Sequence, residues 1–160
     1  MGVTGAGKST IGSALALELG VPFVDADSLH PRANVDKMSA GIPLTDEDRE
    51  PWLDIVGALL AHAEKGLVVA CSALKRAYRE RIAGHAPDVA FIHLTVSATE
   101  LERRLVGRTG HFMPASLLRS QLETLEPLGP DEHGFAIDGG GDPGEIVAAI
   151  TERFGGVAHG

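Results

Sequence analysis

The stretch Gly2-Val3-Thr4-Gly5-Ala6-Gly7-Lys8-Ser9 constrains the fold more than any other part of the chain. It fits G-x-x-x-x-G-K-[ST], in which glycines let backbone N–H groups curl around phosphate oxygens, the lysine reaches the outer phosphates and the serine hydroxyl ligates Mg²⁺. Such a loop must open a helix, because free N–H groups and the positive end of the helix dipole have to face the anion. Ile11, Leu15 and Leu19 recur at fourfold spacing, Ala14 and Ala16 favour helix, and Gly20 stops it. A loop of this kind normally ends a buried parallel strand, yet only Met1 precedes Gly2. The expectation is a polypeptide that starts several residues earlier and a first, central strand that is truncated here, with ladder hydrogen bonds lost from both neighbours.

Downstream, strand and helix signals alternate, the mark of a parallel α/β sheet covered on both faces. Val21–Asp25, Leu67–Cys71, Val89–Leu94 and Phe135–Asp138 are short apolar runs suited to strands. Ser97-Ala98-Thr99-Glu100 and Thr45-Asp46-Glu47-Asp48 read as capping boxes, Pro51 as the restart of a helix with Trp52, Leu53, Val56, Leu59, Leu60 and Ala63 on one face, and Asp142-Pro143 as the opening of the last helix, with Ile146, Val147, Ile150 and Phe154 as its buried stripe. The expected fold class is a three-layer α/β/α phosphate-binding-loop fold built as one domain over residues 1–160.

Composition narrows the function. Fourteen Lys plus Arg against 22 Asp plus Glu leave a net charge of -8, which argues against nucleic-acid or anionic-membrane partners, since both need a broad positive surface. No apolar run approaches the ~20 residues that cross a bilayer, no signal peptide is visible, and the cytoplasm is the expected compartment. The single cysteine, Cys71, excludes an internal disulfide and reads as a small buried hydrophobe.

The loop alone does not separate motors, GTPases and small-molecule kinases. No [NT]-K-x-D is present to read guanine, and the run Leu67–Cys71 ends in Cys-Ser rather than an acid. The acids instead follow the run Val21–Asp25, as Asp25-Ala26-Asp27. Facing a γ-phosphate, one carboxylate can organise Mg²⁺ while the next contacts an acceptor hydroxyl.

Val24-Asp25-Ala26-Asp27-Ser28-Leu29-His30-Pro31, Asn34, Lys37-Met38, the run from Gly41 to Leu53, Ala70 to Arg79, Arg108-Thr109-Gly110-His111-Phe112 and Gln121 to Pro127 closely resemble the gluconokinase family of P-loop sugar-acid kinases. The resemblance implies a fold like that of shikimate and adenylate kinases, with a substrate-binding helical segment over about residues 30–64 and a lid over about 104–116. It implies ATP and Mg²⁺ as cofactors, and D-gluconate as the substrate phosphorylated at its terminal hydroxyl. Homodimers are common in the family, although the sequence isolates no interface. Two alternatives stay open: a shikimate or other small-acceptor kinase, and a non-catalytic nucleotide-binding domain.

Two cation clusters fit an anionic substrate pair on an acidic chain. Lys75, Arg76, Arg79 and Arg81 follow the run Leu67–Cys71, at the carboxyl edge where open α/β sheets bind ligands. On a helix Lys75 and Arg79 share a face and could hold a carboxylate together, while Arg76 and Arg81 point elsewhere. Arg103, Arg104 and Arg108 lead into the Gly110–Pro114 loop, and Arg104 and Arg108 share the face expected to close on phosphates. The expected nucleotide contacts are thus Gly2, Val3, Thr4, Gly5, Ala6, Gly7, Lys8, Ser9, Thr10, Arg104 and Arg108. The expected catalytic residues are Lys8, Asp27 and Arg108, the metal ligands Ser9 and Asp25, and the substrate contacts Asp27, His30, Arg49, Ser72, Lys75 and Arg79. Of these, Arg49 follows from the resemblance, at a position where related kinases hold the acceptor's carboxylate, and His30 could equally tie down its own loop.

Overall fold

A computed structural model of the chain describes residues 1–107 and 115–157. Helix α1 (Lys8–Leu19) starts directly from the glycine loop, and Gly20, at φ +66°, closes it by donating to the carbonyls of Ala16 and Leu17. Strand β1 (Phe23–Asp25) leads through a 3-10 turn (Ala26–Leu29) to α2 (Arg32–Ser39) and α3 (Asp46–Ala61). Strand β2 (Val68–Ala70) is followed by α4 (Arg76–His85), β3 (Phe91–Thr95), α5 (Ala98–Val106), α6 (Ala115–Thr124), β4 (Gly134–Asp138) and α7 (Pro143–Val157).

All four strands pair in parallel, β1 with β2 and β3 with β4. The two pairs are not hydrogen-bonded to each other. Between them runs the start of the chain. The Met1 amine donates to Ile92 O, Leu94 N–H donates to Met1 O at 3.0 Å, and Gly2 N–H donates to Ser72 O at 3.2 Å. Behind this stitch lies a cavity of about 520 Å³ lined by Ile11 and Leu15 of α1, Val68 and Ala70 of β2, Ile92 of β3 and Ile150 of α7. The cavity thus lies between β2 and β3.

Two apolar clusters cover the sheet. One joins Ile11, Leu15, Leu94, Leu101, Leu118, Ile146, Val147 and Ile150; the other joins Ala26, Trp52, Leu53, Val56, Cys71, Tyr78 and Ile82. The expected last-helix stripe is therefore buried, with Phe154 packed at its margin, and Asp142 Oδ1 caps that helix by accepting from Gly144 and Glu145 N–H.

Two local expectations need correction. Pro51 does not restart a helix but lies inside α3, which begins at Asp46 on the full Thr45/Asp48 capping box. Proline removes one bond to the carbonyl four residues back; here that residue, Glu47, is exposed and water can serve it. Ser97 caps α5 through Glu100 N–H at 3.2 Å, but the Glu100 carboxylate turns to Arg103 and Arg104 instead of completing the box.

Candidate active site

The glycine loop holds its shape through backbone conformations that glycine tolerates: φ is +79° at Gly5 and +94° at Gly7. Lys8 Nζ folds back to the glycine loop and donates to Val3 O at 2.9 Å. Thr4 N–H donates to the Gln121 side chain of α6 at 2.7 Å.

At the carboxyl end of β1, Ser9 and Asp25, the two residues expected to hold a metal, lie within hydrogen-bonding distance. Ser9 Oγ donates to Asp25 Oδ2 at 2.8 Å, and Asp25 Oδ1 accepts from Asp27 N–H at 3.0 Å. One carboxylate thereby fixes both the first hydroxyl of α1 and the backbone that carries Asp27, whose own side chain is exposed. The donors are all oxygen, a set that suits a hard cation such as Mg²⁺.

His30 stacks on Trp52 with ring centroids 4.3 Å apart and meets Asn34 Nδ2 through Nδ1 at 3.3 Å. Burial lowers its pKa, against the opposing pull of Asp27. Trp52 is core, as expected, and its indole N–H donates to Ala26 O at 2.7 Å, which holds the turn bearing Asp27. Buried Asn34 donates to Asp48 O at 2.8 Å, and Lys37 pairs with Asp48 at 2.7 Å, so α2 is braced against the start of α3. Arg49 donates to Leu44 O at 2.7 Å and lies 5.8 Å from the Tyr78 ring centroid.

Lys75 and Arg79 do not share a face. Lys75 is the residue before α4, with extended backbone, so the helical four-residue spacing does not apply to it. Its ammonium reaches Asp46 Oδ2 at 2.9 Å and lies 5.6 Å from the Tyr78 ring centroid. Arg79 turns inward and is buried. Its five N–H donors meet Glu132, Ala73 O, Leu74 O and Pro127 O at 2.6–3.3 Å. It thus holds the turn after β2, where Ala73 sits at φ +44°, instead of facing a substrate. Arg76 and Arg81 do point elsewhere, to Asp131 and Asp54. Ser72 accepts the Gly2 N–H through its carbonyl, and Cys71 is buried, its thiol pushed up to about 11 by desolvation.

Arg104 lies at the glycine loop. It donates to Gly5 O at 3.1 Å and Gly139 O at 2.9 Å, with Glu100 at 2.9 Å. Arg103 is exposed and paired with Glu100. Arg108 and residues 108–114 of the expected lid lie outside the described residues.

A family model described as shikimate kinase matches residues 4–128. The gluconokinase of Gluconobacter oxydans (strain 621H) is 48% identical over 157 residues, spanning 96% of this chain and 88% of that relative. The chain belongs to the gluconokinase family. The thermosensitive gluconokinase of Escherichia coli (strain K12) is 44% identical, with 96% of this chain and 82% of that relative covered. The crystal structure of a gluconokinase from Sinorhizobium meliloti 1021 superposes with a TM-score of 0.85 at 46% identity, covering 99% and 95% of the two chains. Like other gluconokinases, the chain is a phosphotransferase with a P-loop kinase fold. Among the described residues no helix is long and apolar enough to cross a membrane.

Three residues beside the candidate site carry no site role in the sequence. Gln121 touches the glycine loop from a helix 117 residues away, and Tyr78 and Asp46 meet across 32 residues. The acidic start of α3 and the lone tyrosine were visible signals, but only the packing of α3 against α4 joins them.

Proposed function

We propose that this chain transfers the γ-phosphoryl group of ATP to the terminal hydroxyl of D-gluconate in the cytoplasm, releasing ADP and 6-phospho-D-gluconate. The observation that carries the reading is the Ser9–Asp25–Asp27 chain of contacts, which sets a hydroxyl and two carboxylates beside the phosphate-binding loop. Arg49 and Lys75, together near Tyr78, offer cations for an acceptor carboxylate, and the named relatives are gluconokinases.

Phosphoryl transfer asks a protein mainly for positioning and charge stabilisation. The loop amides and the Lys8 ammonium hold the β- and γ-phosphates. Ser9 and Asp25 would hold Mg²⁺, which offsets charge on those phosphates when bound. Asp27 orients the acceptor hydroxyl and takes its proton as the oxygen attacks in line. Arg104, fixed at the loop, and Arg108 close over the transferring group and keep water from competing.

The test is acceptor-dependent ADP release. Turnover should require gluconate and be absent with shikimate; ATP hydrolysis that ignores the acceptor, or turnover with shikimate alone, would overturn the assignment.

A further inference from the structure

Asp46 is the first helical residue of α3, and donors from α3, α4 and the turn before α4 gather on its carboxylate. Lys75 Nζ donates to Oδ1 at 3.2 Å and to Oδ2 at 2.9 Å, and Tyr78 Oη donates to Oδ1. Arg49 Nη1 stands 3.9 Å from Oδ1. The Tyr78 and Lys75 hydrogen bonds hold Asp46 below its ordinary pKa, so it is ionised at neutral pH. Its side chain is nonetheless 55% exposed. A carboxylate offers about four acceptor positions, and the contacts from Lys75 and Tyr78 take three. The remaining lone pair is on Oδ2, in a cluster whose two cations and one anion sum to a single positive charge. Cationic donors and an ionised acceptor therefore stand side by side at the carboxyl edge of β2.

We infer that Asp46 is a specificity-determining residue: its open Oδ2 position accepts a hydrogen bond from the hydroxyl on the carbon next to the substrate carboxylate, while Arg49 and Lys75 take the carboxylate itself. The cluster then reads a 2-hydroxy acid and not a bare acid. This inference rests on the gluconate reading above. A site that hydrogen-bonds a hydroxyl rejects the analogue lacking it, because the polar groups of the site lose their partner. Here the acceptor is half exposed and water can replace the lost hydroxyl, so the discrimination is modest, on the order of tenfold.

The experiment compares kcat/KM for D-gluconate and 2-deoxy-D-gluconate in the wild-type chain, Asp46→Asn and Asp46→Ala, with KM for ATP and the melting temperature as controls. The wild type should prefer gluconate by about tenfold. Asp46→Ala should bring the ratio close to one, mainly through KM for gluconate, with KM for ATP unchanged, and Asp46→Asn should fall between. If Asp46 only props up Lys75, both substrates lose equally and the ratio stays at its wild-type value, which overturns the inference while leaving gluconate as substrate. A wild-type chain that turns over neither acid overturns the parent reading and this one with it.

Discussion

Arg79 and Glu132, 53 residues apart in the chain, close on each other as a fork: Nε and Nη2 donate to the two carboxylate oxygens at 2.6 and 3.0 Å. Both side chains are almost wholly buried. Removing one member of a buried pair strands the other charge, at a cost of about 3–5 kcal/mol. Glu132→Ala should therefore lower the unfolding free energy by about that amount in urea denaturation. A midpoint equal to the wild type would contradict the structural role of Arg79.

The pair also marks where the sequence stops being informative. Spacing alone puts residues 75 and 79 on one helical face; the backbone enters the helix only at Arg76, and the partner that pulls Arg79 inward comes from the loop before β4. Local signals suffice where the cause is local: the glycine loop opens α1 and the Thr45/Asp48 box starts α3. Thr4–Gln121 and Asp46–Tyr78 depend on helices packing across the fold, and no spacing rule reports that.

Lys8 holds its charge at the glycine loop through Val3 O. Lys8→Ala should cut turnover by roughly 10²–10³-fold, the scale of losing one charge-stabilising donor, while circular dichroism and melting temperature stay near wild type. Near-normal turnover would remove Lys8 from the site.

Asp25 and Asp27 should separate kinetically. Asp25 binds Ser9 Oγ and the Asp27 amide, so Asp25→Asn should raise the Mg²⁺ concentration needed for half-maximal rate. Asp27→Asn should lower kcat by about 10²–10⁴-fold, the range of a lost general base, with little change in nucleotide affinity by titration calorimetry. Equal loss of both from Asp27→Asn would point to a metal role for that residue.

Acid should destabilise the fold in a defined window. Arg81, then His85, hold Asp54 down to about 2, and Arg103, then Arg104, hold Glu100 down to about 2. Carboxyls with lowered folded pKa stabilise above their ordinary values of 3.8 and 4.5 and lose that contribution as pH falls through about 2. Urea midpoints measured from pH 6 downward should fall across this range, less steeply in an Asp54→Asn, Glu100→Gln double variant. Asp54 and Glu100 both stay partly accessible to solvent, so added salt should weaken the effect.

The hydrogen bond from Thr4 to Gln121 gives the protein a resident competitor for its own phosphate cradle. A ligand oxygen that takes the Thr4 N–H must first release the amide of α6, so loop occupancy and the seating of that helix share a single donor. Linkage makes the trade reciprocal: whatever draws α6 away raises the loop's affinity for phosphate, and phosphate in the loop frees α6 by the same factor. Arg104 of α5 donates to Gly5 O, so the same short loop carries contacts from both α5 and α6.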